Sequence, residues 1–429
     1  MGAWASNIRK SAFLRDVGRL LSANVIAQAV GLLVYPLLTR LYTPADFGLL
    51  YIFTSIAGVL VLLGTAGYQF AIPLPRDDND GAACFHAGLL CLAPLLVLLV
   101  MAIPFSAAIA GWFGSTELAA WLPLMPLYVG LLCLWNLLNW WYTRCRQFGS
   151  VSRYQLSNSL LNAALKLLLG WLKVPYGLMA ATVSVPPLSV GLNMLAGRRH
   201  LRSLMSWDGL RCRSMLAAYR NFPLFTLPQS LINQFFGNLP AWLLAPHFGQ
   251  GALGLWSMAL MLGFTPINTV CNSIYQVLFA DVSKRVNNRE LVKHLFVRLE
   301  KWALGITLPL FAALYFVLPT LTGWLLGEEW VEAGRYIRWF LPWLAVTVLT
   351  SSTAFLPDIF FRQNVKLWFE ILLAAVRAAG IFAGIWCNSF TVAVACYGIG
   401  SAVVKAAQYI WMRTLVADYE VGIKASGRG

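Results

Sequence analysis

Glu370 and Arg377 stand seven residues apart inside one long apolar run, and Asn158, Asn162 and Lys166 recur every four residues inside another. On a helix these spacings put each set on one face, so each set can act as a unit. Arg377 is the most informative of them. A guanidinium at bilayer depth either lines a cavity and faces an anion or joins an ion pair within the protein. Glu370, nearer the start of its run, is placed alternatively at the membrane interface. Lys166 either lines the cavity or snorkels outward, because Trp171 and Lys173 follow it closely. Lys405 and Gln408 share a face of the last apolar run. Asn24, Gln28 and Tyr35 mark the first run, and Gln229 and Asn233 mark the seventh. Such amides line a polar cleft, or they hydrogen-bond neighbouring helices at about 1 kcal/mol each. Pro36 and Pro228 remove ladder hydrogen bonds and bend the helices that carry them.

Bond-making chemistry has no comparable signature. The sequence holds no G-x-x-x-x-G-K-[ST] phosphate loop, no H-E-x-x-H, no zinc-type cysteine pairing and no G-x-S-x-G elbow. His86, His200, His247 and His294 are dispersed. Asp77, Asp78 and Asp80 read as a solvated turn, and Glu328, Glu329 and Glu332 as a short external loop. No metal or cofactor is expected, and the chain reads as a binding and moving protein, not an enzyme.

Side chains at that depth need long apolar helices to carry them. With 59% hydrophobic, 14% aromatic and 11% charged residues, the chain lies outside the soluble range. At about 20 residues per crossing, the apolar runs give about twelve spans. They fall near 20–39, 48–72, 82–106, 121–142, 154–172, 176–196, 222–244, 253–280, 302–325, 337–357, 367–387 and 391–412. No external loop exceeds roughly 15 residues on these boundaries. The run after Arg9 to Arg19 lacks a small-residue cleavage site and reads as a retained first helix. With both termini in the cytoplasm, roughly 25 basic residues fall inside against about four outside (Arg40, Lys173, Arg335, Arg338). The net charge of +15 therefore forms collars facing anionic lipid headgroups, not a nucleic-acid surface. The eight cysteines lack metal spacing and read as small apolar residues.

The halves echo one another. Phe47-Gly48-Leu49 opens the second span and Leu253-Gly254-Leu255 the eighth; Tyr68-Gln69 and Tyr275-Gln276 end them. Read as a parallel repeat, this gives an all-α membrane protein in two six-helix lobes, 1–196 and 222–412, related by a pseudo-two-fold axis along the membrane normal. A basic linker, 197–221, joins them and a tail, 413–429, follows. Chance similarity between apolar helices is the alternative.

Several segments carry a resemblance. Leu38-Thr39-Arg40-Leu41-Tyr42-Thr43-Pro44-Ala45-Asp46-Phe47-Gly48 resembles the signature of Wzx-type polysaccharide flippases, within the multidrug/oligosaccharidyl-lipid/polysaccharide exporter superfamily. So do Ala71-Ile72-Pro73-Leu74-Pro75, the stretch from Tyr275 to Ser283, and that from Leu326 to Gly334. The resemblance implies alternating access in a bacterial inner membrane, with an undecaprenyl-diphosphate-linked oligosaccharide as cargo and membrane lipids and other polysaccharide-assembly proteins as partners. Under it, Lys166, Arg377 and Lys405 would hold the diphosphate and the amides the sugar hydroxyls. Arg40, Asp46 and Gly48 carry over as motif residues; a local Arg40–Asp46 salt bridge shaping the loop is the plainer reading. A drug or metabolite antiporter of the same superfamily is the nearest alternative, but it would present buried carboxylates to a cationic cargo. A membrane polysaccharide polymerase or ligase would need a larger external loop.

Overall fold

A computed structural model describes residues 26–426 except 27, 202, 203, 205, 289 and 361. Asn24 lies outside the described residues. The elements among them are helical: α1 (Gln28–Leu38), α2 (Pro44–Thr65), α3 (Asp78–Met101), α4 (Ser106–Trp112), α5 (Met125–Arg144), α6 (Phe148–Trp171) and α7 (Gly177–Leu201) come first. After them come α8 (Gly209–Ala218), α9 (Leu227–Asn287), α10 (Lys293–Leu326), α11 (Val331–Ser351), α12 (Leu356–Ile359), α13 (Gln363–Trp386) and α14 (Phe390–Ser426).

Local sequence explains where these helices begin and stop. Thr43 and Asp46 close a capping box at the start of α2, with Pro44 at its first position. The helix ends earlier than the expected residue 72, because Ala66 (φ 48°) and Gly67 (φ 80°) turn left-handed. The basic linker contains a helix: Asp208 accepts hydrogen bonds from the backbone of Leu210 and Arg211, both at 3.1 Å, and so starts α8. α8 buries Cys212 with Tyr68 and Ala87. α9 breaks at Gly249 (φ 81°, ψ 169°), backbone that only glycine adopts freely. The stretch 102–124 between α3 and α5, expected to be a short external loop, is longer than expected, since α3 stops at Met101 and the chain continues through α4 and short 3₁₀ turns.

Contacts divide the chain into two compact units, 1–250 and 251–429. This division falls later than the 197–221 linker. The start of α9 joins the first unit, where Asn238 donates to the Ser55 carbonyl (3.1 Å) and Trp242 to the Ser55 hydroxyl (2.9 Å).

Nine candidate spans among the described residues are long and apolar enough to cross a membrane. One of them, Phe222–Asn272, contains the break at Gly249 and has length for two crossings. With α1 and α6, which fall outside those nine, the arrangement accommodates the twelve crossings expected from sequence.

Inside the first unit the loops sort to two ends. Arg144 reaches the 72–78 loop and Arg211 reaches Asp77, which joins the loops before α3, after α5 and around α8. At the opposite end Gln250 donates to Ser115 and Glu117, and Tyr42 donates to the Lys166 carbonyl. The first end holds Arg76, Arg144, Arg146, Arg153, Arg198, Arg211, Arg213 and Arg220; the second holds Arg40 and Lys173. The second unit repeats this asymmetry. Its 352–360 and 290–292 segments pack together at an end with Arg285, Lys293, Arg298, Lys301, Lys366 and Arg413, whereas Arg335 and Arg338 flank the far loop.

Exposed tryptophans mark the two interfaces. Trp302 and Trp324 on α10 are separated by about 33 Å at 1.5 Å per residue, and Trp368 and Trp386 on α13 by about 27 Å. Both spacings bracket a hydrocarbon core of about 30 Å, with the rings at headgroup level.

Candidate functional site

In the second unit, one face of α13 meets one face of α14 in a polar stripe. Arg377 lies nine residues from both Trp368 and Trp386, so it sits about 14 Å from either interface, at mid-membrane. Its guanidinium is gripped from three sides. Nε donates to the Ser401 hydroxyl at 2.9 Å, and the guanidinium carbon lies 4.8 Å from the ring centroids of both Trp343 on α11 and Tyr397 on α14. Trp343, Tyr397 and Ser401 are themselves buried, so these walls are fixed. Each ring face attracts the cation, by roughly 0.5 to 2 kcal/mol per contact according to desolvation. The two terminal nitrogens of Arg377 make no hydrogen bond or ion pair with any described residue, and they remain free to bind an anion bidentately.

Glu370 and Lys405 behave differently. Lys405 Nζ lies 2.8 Å from Glu370 and 2.9 Å from Gln408 Oε1, which neutralises the lysine within the protein. The expected partnership of Lys405 with the cargo therefore competes with an existing ion pair. Glu370 is two residues from Trp368, which puts it at the basic interface, the alternative left open for it. Among the described residues of the stripe, Arg377 is left as the uncompensated charge. Trp343, Tyr397 and Ser401 were missed in the sequence; Ser401 shares the Lys405 and Gln408 face and was detectable by that spacing.

In the first unit, Asn158 accepts from the Ser189 hydroxyl at 3.1 Å, a packing contact between α6 and α7. Asn162 and Lys166 are half-buried, and their side chains make no hydrogen bond or ion pair with a described residue. Lys166 lies one and a half turns from the exposed Trp171, about 8 Å from that interface, within reach of either role proposed for it. Gln28, Gln229 and Asn233 are exposed.

The motif residues shape the chain. Asp46 bonds the Thr43 backbone and hydroxyl, both at 2.9 Å, so it completes a helix cap instead of the expected salt bridge; Arg40 is exposed and forms no ion pair with a described residue. Gly48 lets α2 touch the backbone at Gln250: a Cβ there would stand 1.9 Å from the Gln250 carbonyl oxygen. Tyr42 donates to the Lys166 carbonyl at 2.7 Å; burial, with Asp46 beside it, pushes its hydroxyl up to about 12, which keeps it a donor.

The second motif, 71–75, is pinned by Arg144, which the sequence marked only as one of the roughly 25 basic residues expected inside. Arg144 donates to the carbonyls of Ile72 (2.9 Å), Pro75 (2.8 Å) and Asp77 (2.9 Å) and pairs with Asp78 at 3.0 Å. Asp77 in turn caps α3; the Asn79 backbone N–H, and then Arg211, hold its carboxyl below the usual range. No cluster of three His, Cys, Asp or Glu able to hold a metal occurs among the described residues.

Nine apolar spans, two tryptophan belts and a cation midway between them define a class: a multi-pass membrane protein whose described elements are helical. The fold matches an inward-facing multidrug resistance MATE family transporter of the MOP superfamily, with TM-score 0.69, 15% identity and coverage of 92% of this chain and 95% of that one. It also matches the lipid II flippase MurJ in an inward closed conformation, with TM-score 0.72, 10% identity and coverage of 95% and 91%. At these identities the likeness is one of fold. The chain belongs to the polysaccharide biosynthesis protein family, whose profile matches residues 37–335. It is 21% identical over 380 residues to the succinoglycan biosynthesis transport protein ExoT of Rhizobium meliloti (strain 1021), spanning 86% of this chain and 73% of that protein. This agrees with the resemblance carried by residues 38–48 and 71–75.

Proposed function

We propose that this protein is a flippase that carries an undecaprenyl-diphosphate-linked oligosaccharide from the cytoplasmic to the periplasmic leaflet of a bacterial inner membrane, for exopolysaccharide or lipopolysaccharide assembly. The family and the succinoglycan transport relative support the pathway. The single observation that carries the reading is Arg377: a cation at mid-membrane, fixed by Ser401, Trp343 and Tyr397, with its terminal donors unpaired among the described residues. A diphosphate is the part of such a cargo that would pair with it.

In this reading both termini lie in the cytoplasm, an orientation that the collars of Lys and Arg support. Two six-helix lobes, 1–196 and 222–412, open the cavity to one face at a time, joined through the 197–221 segment. Asn162, Lys166, Gln28, Gln229 and Asn233 supply amides and a second cation along the path. The other assembly proteins of the pathway receive the flipped unit. The chain performs no bond-making step itself.

The antiporter reading needs a carboxylate free for a cationic cargo, and Glu370 is occupied by Lys405. The two readings separate in the lipid fraction of a host lacking this protein, analysed by mass spectrometry. Build-up of undecaprenyl-diphosphate oligosaccharide and loss of surface glycan, reversed by the intact gene but not by an Arg377→Ala copy inserted at normal levels, is the expected result. An unchanged lipid pool with persisting surface glycan would sink the flippase reading and leave the antiporter.

A further inference from the structure

At the basic end of α10 the second unit holds a cavity of about 550 Å³ that plays no part in the stripe around Arg377. Lys293, His294, Arg298, Lys301, Trp302 and Glu420 line it. Residues 294, 298, 301 and 302 recur at helical spacings, so they share the outer face of the helix. The carboxylate among them is already engaged: Glu420 is buried, and its Oε1 accepts the backbone N–H of Lys293 at 2.8 Å, where it caps the positive end of α10. The side chains of Lys293, Arg298 and Lys301 form no ion pair with a described residue and are exposed.

What lies further along the helix identifies the ligand. Trp302 is 67% exposed, and beyond it Ile306, Leu308, Leu310, Phe316 and Val317 are exposed on the same helix. A cluster of cations, then an interfacial indole, then a bare apolar wall matches a molecule with an anionic head and a long apolar tail. A soluble phosphate would use the cations and leave the wall uncovered. We propose that this cavity seats the phosphate headgroup of an anionic phospholipid, with its acyl chains along α10. The proposal is independent of the cargo and of the flippase reading.

The test uses the full-length protein in mild detergent, delipidated and titrated with phosphatidylglycerol, phosphatidylcholine or inorganic phosphate, with binding read by native mass spectrometry. Arg298→Gln/Lys301→Gln removes two charges from the cavity. Arg146→Gln/Arg153→Gln removes two exposed charges from the first unit as a control. At roughly fivefold per charge, the cavity variant is expected to bind phosphatidylglycerol about twenty-five-fold more weakly, while the control binds as the parent does. Phosphatidylcholine is expected to bind weakly to all three, and inorganic phosphate not to displace the lipid.

Equal losses in the two variants, or no preference for phosphatidylglycerol over phosphatidylcholine, would overturn the proposal. Displacement by inorganic phosphate would overturn it too, in favour of a soluble-anion site. If the cavity variant aggregates, brominated phosphatidylglycerol supplies a second measurement. It is expected to quench parental tryptophan emission more than emission from Trp302→Phe, with brominated phosphatidylcholine showing no such difference; equal quenching of parent and variant by both lipids counts against the site.

Discussion

Arg144 offers the most quantitative test of how this chain holds its second motif. Its side chain is only 8% exposed, and it serves three backbone carbonyls of the 72–77 loop, whereas its ion-pair partner Asp78 is 82% exposed. The exposed pair is worth about 0 to 1 kcal/mol. Each carbonyl that loses a charged donor costs about 1 to 3 kcal/mol unless water replaces it. Allowing for partial rehydration of the loop, Arg144→Ala should destabilise the protein by about 3 kcal/mol, and Asp78→Asn by under about 1 kcal/mol. Arg144→Lys keeps the charge but loses the planar fork, so it should fall close to Arg144→Ala. Thermal unfolding of the detergent-solubilised protein, followed by size-exclusion fluorescence, reads these as midpoint shifts. At about 2 °C per kcal/mol for a unit of 250 residues, Arg144→Ala should melt about 6 °C below the parent. If Asp78→Asn melts as low as Arg144→Ala, or Arg144→Lys melts with the parent, the charge pair and not the carbonyl grip holds the loop, and the reasoning is wrong.

Two other outcomes follow from the geometry. Gly48→Ala would place a methyl 1.9 Å from the Gln250 carbonyl oxygen, so the start of α2 must move away; a loss of about 1 to 3 kcal/mol, seen in the same melting assay, is expected, and an unchanged midpoint would refute the close approach. Cysteine labelling tests the orientation. Cys387 is exposed at the far end of α13, and a membrane-impermeant maleimide on intact cells should label it; Cys212 is buried against α3 with its thiol pushed up by burial, and should label only after unfolding. Absence of external labelling that Cys387→Ser would abolish contradicts the assignment of both termini to the cytoplasm.

What could be read in the sequence was whatever depends on period and composition. The face shared by Glu370 and Arg377 follows from a spacing of seven, and the depth of Arg377 from its place midway along an apolar run. The cap at Thr43 was legible as well, since Thr-x-x-Asp before an apolar run is a capping signature, but the salt-bridge reading passed over it. What escaped depends on partners brought together by folding. Glu370 pairs with Lys405, 35 positions away, and no periodicity within α13 could announce it. The three carbonyls held by Arg144 are backbone groups about 70 positions distant, and backbone carries no sequence signature. α8 was hidden because it is short and basic, so that its composition resembles a loop; Asp208 was its one local signal. The break at Gly249 looked like a loop because a single glycine conformation marks it.

The grip on Arg377 also has a kinetic consequence. Two ring faces and Ser401 hold the guanidinium before any anion arrives, so seating one there requires little rotamer ordering and capture is quick. The neighbouring lysine, however, is already neutralised by Glu370. If the cargo's diphosphate seats here as proposed, Arg377 is, among the described residues of the stripe, the cation left to meet it, and the rest of its charge would stay uncompensated in a low-dielectric setting. Such a seat makes for a short dwell time, and a carrier gains from that: a site that releases readily does not turn its own cargo into an inhibitor.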